Sequence, residues 1–327
     1  MIKMKDLIQD FPHQLQESLN ITKQCNLTVD RSISNVVICG LGGSGIGGEL
    51  IKEWIRSEVK VPVEVCHSYT LPGYVSKSTL IIACSYSGNT EETLSAVDEA
   101  LESGAVIVGI SSGGTLSEKL EAHNFSVIKV PSGLPPRSAL AYPLVQVLEV
   151  FEQLELLRSS LKNEVMSAVH LLQEHQEEII AEAEQILNEL GSKRLLLYAE
   201  DTFRPVLLRT CQQINENSKE LAFFNVIPEM NHNEIVGWAQ PSDQLLTVFV
   251  RSEEELDRNK KRLDLTHGVV SEKAAVRSVH TKGTGIIQKS LYAIHLFDWL
   301  SLFRSEENGV DVVEVNVIDY LKAELAK

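Results

Sequence analysis

Two stretches rich in glycine and hydroxyl residues, each placed directly after an apolar run, are the part of this sequence best suited to chemistry. The first is GLGGSGIGG, Gly40 to Gly48. Glycines let a backbone turn sharply and approach a ligand without a Cβ in the way. A helix starting there would point its free amides and its positive dipole end at an anion. Gly42, Gly43 and Ser44 are therefore candidate phosphate ligands. The second is CSYSGNTEET, Cys84 to Thr93. Ser85, Ser87 and Thr90 offer hydroxyls at a strand end, Gly88 allows the turn, and Asn89 or Thr90 can cap the following helix. A cap needs one hydroxyl, and three make a neutral cradle for a phosphate dianion. Gly40, Gly42 and Gly45 also fit GxGxxG, with Glu64 placed as a ribose-binding carboxylate. A dinucleotide-dependent oxidoreductase is thus an alternative reading, although it would not need the second loop. The GxxxxGK[ST] signature of P-loop nucleotidases is absent.

The elements that must position these loops alternate along the chain. Apolar runs at 36–40, 61–67, 79–85, 105–110 and 126–130 predict strands, with helices expected at 47–56, 90–103 and 116–123. Short apolar strands alternating with helices imply a parallel sheet covered on both faces. Residues 139–190 read as helical throughout, with an amphipathic repeat at Ile179, Ile180, Ala183, Ile186, Leu187 and Leu190. The theme then returns, with strands at 193–199, 222–226, 244–250 and 275–280. Helices are expected at 206–218, 256–267, 286–303 and 318–326. The fold class is α/β, two consecutive doubly wound parallel-sheet domains of flavodoxin-like or Rossmann-like type. The boundary is expected near residue 155, giving domains 1–155 and 156–327.

With 45 acidic against 30 basic residues, the chain carries a net charge of −15. That argues against nucleic acid or an anionic membrane as partner, since both require a basic face. No stretch is long and apolar enough to span a bilayer, and the charged start, Met1 to Asp10, does not read as a signal peptide. Cys25, Cys39, Cys66, Cys84 and Cys211 are scattered without a CxxC pair, consistent with reduced thiols and a cytoplasmic location. The histidines form no HxH or HxxxH pair, so no metal is expected. His267, His280 and His295 stand isolated and read as structural.

Taken together, SYSGNTEET after its strand, GLGGSGIGG, SGLPPRSAL (132–140), NENSK (215–219), MNHNEIVGW (230–238) and the tail VIDYLKAEL resemble one family in motif order over nearly the whole chain. It is the bifunctional phosphoglucose/phosphomannose isomerases, built from sugar-isomerase (SIS) domains. The resemblance implies aldose–ketose isomerisation of a sugar phosphate by metal-free, cofactor-free cis-enediol proton transfer. Such chemistry needs a ring-opening acid, a base between C1 and C2, positive charge beside the enediolate, and a phosphate anchor.

By the same resemblance Glu216, in the NEN motif, is the base, a role that partial burial of a carboxylate favours. His232 is the ring-opening acid/base, histidine being the residue type suited to proton exchange with a ring oxygen, with Glu234 placed to orient its ring. Arg137 stabilises the enediolate as a permanent cation, and Lys322 matches a C-terminal lysine near the sugar. In related isomerases the histidine reaches the partner subunit's site, which implies a homodimer with shared active sites. The segment GVDVVEVNV before Lys322 lacks the threonine associated with phosphomannose activity. Glucose 6-phosphate and fructose 6-phosphate are therefore the first expectation and mannose 6-phosphate the second. A non-catalytic sugar-phosphate regulator built on SIS modules is a further alternative, although no DNA-binding segment accompanies it.

Overall fold

The computed structural model describes residues 3–21 and 27–325. Cys25, residue 326 of the final predicted helix and the first two residues of the chain's start lie outside the described residues. The chain divides into two compact units, Asp10–His170 and Leu171–Lys327 together with Met1–Gln9. The two domains expected from the alternation are both present as parallel α/β sheets. The expected boundary near 155 falls just after a helix ending at Gln153.

In Asp10–His170, strands β1 (Asn35–Cys39), β2 (Val63–Cys66), β3 (Thr79–Cys84), β4 (Val106–Ser111) and β5 (Ser126–Lys129) form one sheet in the order β2-β1-β3-β4-β5. Every pairing is parallel, as in Val36 opposite Leu80 and Leu80 opposite Val106. Side chains alternate between the two faces of a strand. Val37, Cys39, Ile81, Ala83 and Ile107 face a cluster completed by Ala96, Val97, Ala100, Leu116 and Leu120. These come from α4 (Glu91–Ser103) and α5 (Gly114–Ala122). On the opposite face lies α3 (Gly42–Trp54), so close that a Cβ on Gly48 would fall 2.9 Å from the Ile38 side chain. Beside α3 runs α6 (Ala141–Gln153), buried over most of its length, and against α6 packs α2 (Phe11–Ile21). β3 is buried along its whole length, as its unbroken apolar sequence demands.

The second unit repeats the plan. β6 (Arg194–Glu200), β7 (Phe223–Ile227), β8 (Leu245–Arg251) and β9 (Ala275–His280) pair in parallel in the order β7-β6-β8-β9. One face carries Leu196, Tyr198 and Phe249 against Met230, Trp238, Leu263 and Val270, the last two from α10 (Asp257–Ser271). Against α11 (Gly285–Glu307) pack α8 (Gln176–Leu190), α9 (Arg204–Ser218) and the N-terminal α1 (Met4–Gln9). α7 (Lys162–Glu174) precedes α8, and α12 (Asn316–Leu325) ends the unit with no buried residue.

Three local expectations change. α3 begins at Gly42 rather than at 47, because its glycines are contact points, not loop: a Cβ on Gly43 would meet the Pro136 carbonyl at 2.9 Å, and one on Gly45 the Gly40 carbonyl at 2.5 Å. The helical tract 139–190 is broken into α6, α7 and α8, with Glu155 at positive φ after α6. α1 and α2 have no counterpart among the expected elements.

Candidate active site

The strand order of the first unit reverses between β1 and β3, the position where open parallel sheets bind ligands at the carboxyl ends of their strands. GLGGS follows β1 and SYSGNT follows β3, so both hydroxyl-rich loops open onto that crevice. Gly42 takes φ +53° as the chain turns into α3, and the amides of Gly42 and Gly43 start the helix. Within α3 the first bonds to Leu41 are made by the amides of Ser44 and Gly45. The amides ahead of them therefore face outward, toward where an anion would sit.

The side chains sharpen this preference. The Tyr86 amide donates to Ser44 Oγ at 3.2 Å, tying the β3 loop to the β1 loop. A hydroxyl that accepts from the protein keeps its own proton free to donate, and so presents hydrogen to an anion. Ser87 Oγ likewise accepts from the Asn89 amide at 3.3 Å. Ser85 Oγ accepts from the Thr90 amide at 3.4 Å and lies 2.8 Å from Thr90 Oγ1, so Ser85 can donate to Thr90 while Thr90 donates outward. Ser44 and Ser85 are buried, whereas Ser87 is exposed. Gly88 takes φ +72° and passes so near the next loop that a Cβ there would fall 1.8 Å from the Gly113 carbonyl. Asn89 has a different task from the hydroxyls: its Oδ1 accepts from the Thr115 amide at 3.1 Å and hydroxyl at 3.0 Å, holding the start of α5.

Arg137 stands in a 3-10 turn, Pro136–Ser138, beside the start of α3, with its Cα 3.7 Å from where a Cβ on Gly43 would be. It is 5% exposed, so this cation is held inside the unit rather than waved into solvent. The structure thus brings Gly42, Gly43, Ser44, Ser85, Ser87, Asn89, Thr90 and Arg137 into one neighbourhood. Tyr86, which sequence reasoning passed over, is the hub. Its carbonyl accepts from the Ser112 amide and hydroxyl, and its phenol accepts from the Leu134 amide at 3.1 Å. Three loops distant in sequence meet on one aromatic residue. Its only sequence signal was a large side chain inside an otherwise small-residue loop.

Glu64, the candidate ribose carboxylate, accepts from the Tyr74 hydroxyl at 2.6 Å on β2. The residue at the end of β2 is instead His67, whose ring faces the Gly40 carbonyl at 2.7 Å and Glu49 at 3.0 Å.

In the second unit the corresponding crevice, between β6 and β8, is filled by the protein's own carboxylates. Glu255 accepts from Arg251 Nε at 2.8 Å, Arg251 Nη2 at 2.9 Å and the Ser252 amide at 2.9 Å. Glu200 accepts from Asn259 at 2.7 Å. An anion there would compete with bidentate internal partners.

Glu216 lies half-buried in the last turn of α9. That helix is pinned to α11 by Arg209 to Asp298 at 2.8 Å, Gln213 to Asp298 at 3.0 Å and Asn217 to the Ser301 hydroxyl at 2.9 Å. Positions 209, 213 and 217 share one helix face, and Glu216, three residues after Gln213 and seven after Arg209, borders it. Asn215 and Asn217 are therefore struts: Asn215 Oδ1 accepts from the Ala222 amide at 3.4 Å. Lys219, the αL residue ending α9, donates to the carbonyls of Glu216 (2.6 Å) and Glu314 (2.7 Å), stapling the segment before α12. Lys322 is exposed on α12.

His232 is exposed at the end of a 3-10 turn, Glu229–His232. The next turn, Glu234–Ala239, is anchored in the unit's core. Glu234 accepts from the Tyr198 hydroxyl and, at 2.6 Å, from Asn225 Nδ2, while Trp238 Nε1 donates to the Tyr198 oxygen at 3.1 Å. Burial, and then the Glu234 carboxylate, push the Tyr198 phenol far above its ordinary value, so it stays a donor. Glu234 thus braces the loop from β6 and β7 rather than meeting the His232 ring. Cys39, Cys66, Cys84 and Cys211 are free thiols, all buried. Among the described residues no three His, Cys, Asp or Glu side chains stand together as a metal ion would require, and no helix is long and apolar enough to cross a membrane.

Comparison with known proteins agrees with this geometry. Residues 31–154 match the SIS domain family, and residues 179–325 match the family described as bacterial phospho-glucose isomerase C-terminal SIS domain. A bifunctional phosphoglucose/phosphomannose isomerase of Caldicellulosiruptor bescii is 38% identical over 99% of both chains. One of Aquifex aeolicus is 35% identical over 89% of this chain and 90% of its own. A hypothetical protein from Thermus thermophilus shares the fold with a TM-score of 0.78 at 14% identity, covering 99% of this chain and 89% of that one. With two SIS-type units, a hydroxyl-lined crevice at the β1/β3 reversal and this identity along its whole length, the chain belongs to the bifunctional phosphoglucose/phosphomannose isomerase family.

Proposed function

We propose that this protein interconverts glucose 6-phosphate and fructose 6-phosphate, and mannose 6-phosphate and fructose 6-phosphate, without a metal or cofactor. The observation that carries the reading is the crevice of Ser44, Ser87 and Thr90, with Ser85 behind Thr90, whose protein hydrogen bonds leave the O–H groups of the first three for an incoming phosphate. The relatives are named for both activities, which supports adding mannose 6-phosphate to the expectation drawn from the motifs.

In this reading the phosphate ester anchors in that crevice and its binding energy is spent on placing C1 and C2. His232 protonates the ring oxygen as the O1 proton leaves, opening the sugar. Glu216 removes the C2 proton of the aldose, and the electron pair forms the enediolate double bond while charge collects on O1. Arg137 holds that charge. Return of the proton to C1 and transfer of the O2 proton to O1 yields the ketose, so atoms and charge balance with nothing consumed. Lys322 hydrogen-bonds the sugar hydroxyls. The reading includes a cytoplasmic homodimer in which His232 serves the partner's site.

The test is a coupled assay with fructose 6-phosphate, reading glucose 6-phosphate and mannose 6-phosphate separately. Loss of the base in Glu216→Gln is expected to lower kcat by roughly a hundredfold to ten-thousandfold. Retained turnover would remove Glu216 from its role. Mixing Glu216→Gln with His232→Ala subunits is expected to restore about a quarter of wild-type activity, because one site of each hybrid dimer is intact. No restoration would contradict shared sites.

A further inference from the structure

His67 is absent from the chemistry above, yet it sits against the turn that starts the crevice. Its Nδ1 lies 2.7 Å from the Gly40 carbonyl oxygen and its Nε2 lies 3.0 Å from Glu49 Oε1. Both partners can only accept a hydrogen bond when Glu49 is ionised. A neutral imidazole has one N–H and one bare lone pair, so it would leave one nitrogen facing an oxygen lone pair. Only the doubly protonated ring satisfies both contacts. Glu49 reaches the ring from α3, while Gly40 belongs to the turn between β1 and α3. A Cβ on Gly45 would fall 2.9 Å from two atoms of the ring, so the helix start is shaped around this side chain.

We propose that His67 is a positioning residue for phosphate binding: as an imidazolium it clamps the β1–α3 turn through Gly40 and Glu49, making substrate affinity pH-dependent. The inference rests on the phosphate crevice of the proposed function. The groups facing the ring are Glu49 from α3, the Gly40 carbonyl, and Cys66 on β2. The hydrogen bond to Glu49 raises His67 above the ordinary imidazole value; partial burial opposes it, and Gly40 and Cys66 add to the rise. The clamp is therefore closed below the raised value and opens as pH rises past it. Opening removes a cation and frees the turn whose next amides, at Gly42 and Gly43, face the crevice.

The experiment measures KM for fructose 6-phosphate, and the Kd of inorganic phosphate by calorimetry, in wild type, His67→Gln and Glu49→Gln across the neutral to alkaline range. In wild type both constants should climb at the alkaline end. Glu49→Gln should start that climb at lower pH, because the largest cause of the raised value is gone. His67→Gln should show constants about tenfold higher near neutrality, the worth of a charge-assisted contact, and no climb. kcat should change by no more than about twofold in either variant. Parallel profiles in all three proteins, or a fall in kcat with KM unchanged, would overturn the proposal. Phosphate binding that follows His67 in a protein without turnover would refute the isomerase reading and leave the clamp standing.

Discussion

Ser44→Ala tests the crevice most directly, because two separable effects can be worked out in advance. Ser44 is buried, and its oxygen is the acceptor for the Tyr86 amide that joins the β1 and β3 loops. Removing the oxygen leaves that amide buried without an acceptor, a cost of about 1–3 kcal/mol. For a unit of this size the cost appears as a loss of about 3–8 °C in Tm. The second effect is on substrate. A hydroxyl donating to a phosphate dianion contributes roughly 1.5–3 kcal/mol, so KM should rise about tenfold to a hundredfold. The inhibition constant of inorganic phosphate should rise with it, since both report the same anchor. kcat should fall less, because the reacting carbons are untouched except through poorer placement. Differential scanning calorimetry and a coupled assay with phosphate as competitor separate the two. If Tm falls as expected while KM and phosphate inhibition stay within about twofold of wild type, Ser44 is only a strut between loops. The phosphate would then have to bind elsewhere, and the reasoning fails.

Tyr198→Phe strips Glu234 and Trp238 of a shared partner, and should cost about 2–4 kcal/mol in a urea titration while slowing ring opening by the His232 loop; an unchanged midpoint would show the network to be idle. Gly88→Ala pushes a Cβ onto the Gly113 carbonyl at positive φ, and should destabilise by more than about 3 kcal/mol with loss of phosphate affinity. A stable variant that binds phosphate normally would mean the loop has another shape. Burial holds His295 down at about 3, below its unfolded value, so the folded chain binds fewer protons. Its stabilising effect is full above the ordinary imidazole range and is lost at about 1.4 kcal/mol per pH unit as pH falls toward 3. Urea midpoints between about pH 7 and pH 5 should show that slope in wild type and not in His295→Leu; equal slopes would contradict it.

Much of this protein is legible without coordinates. Each of the nine predicted strands is observed, and the central ones, such as β3, are buried along their length as apolar runs between turn residues in a doubly wound fold must be. The two hydroxyl-rich loops were recognisable for a similar local reason: strand, glycine turn and helix start are consecutive in the chain. Residues whose role depends on partners far along the chain were not. Nothing around Tyr86 marks it as the meeting point of loops ending near Ser44, Ser112 and Leu134. His67 reads as the last residue of an edge strand until the parallel pairing of β2 with β1 sets it beside Gly40. Asn217 looked like a companion of Glu216 until α9 met α11 and turned it toward Ser301. The amino-acid sequence alone determined where strands, turns and donors occur, since periodicity and turn chemistry act over a few residues. Tertiary structure decided which donors remain free for a ligand, because a hydroxyl's spare proton depends on which distant amide has taken its lone pair.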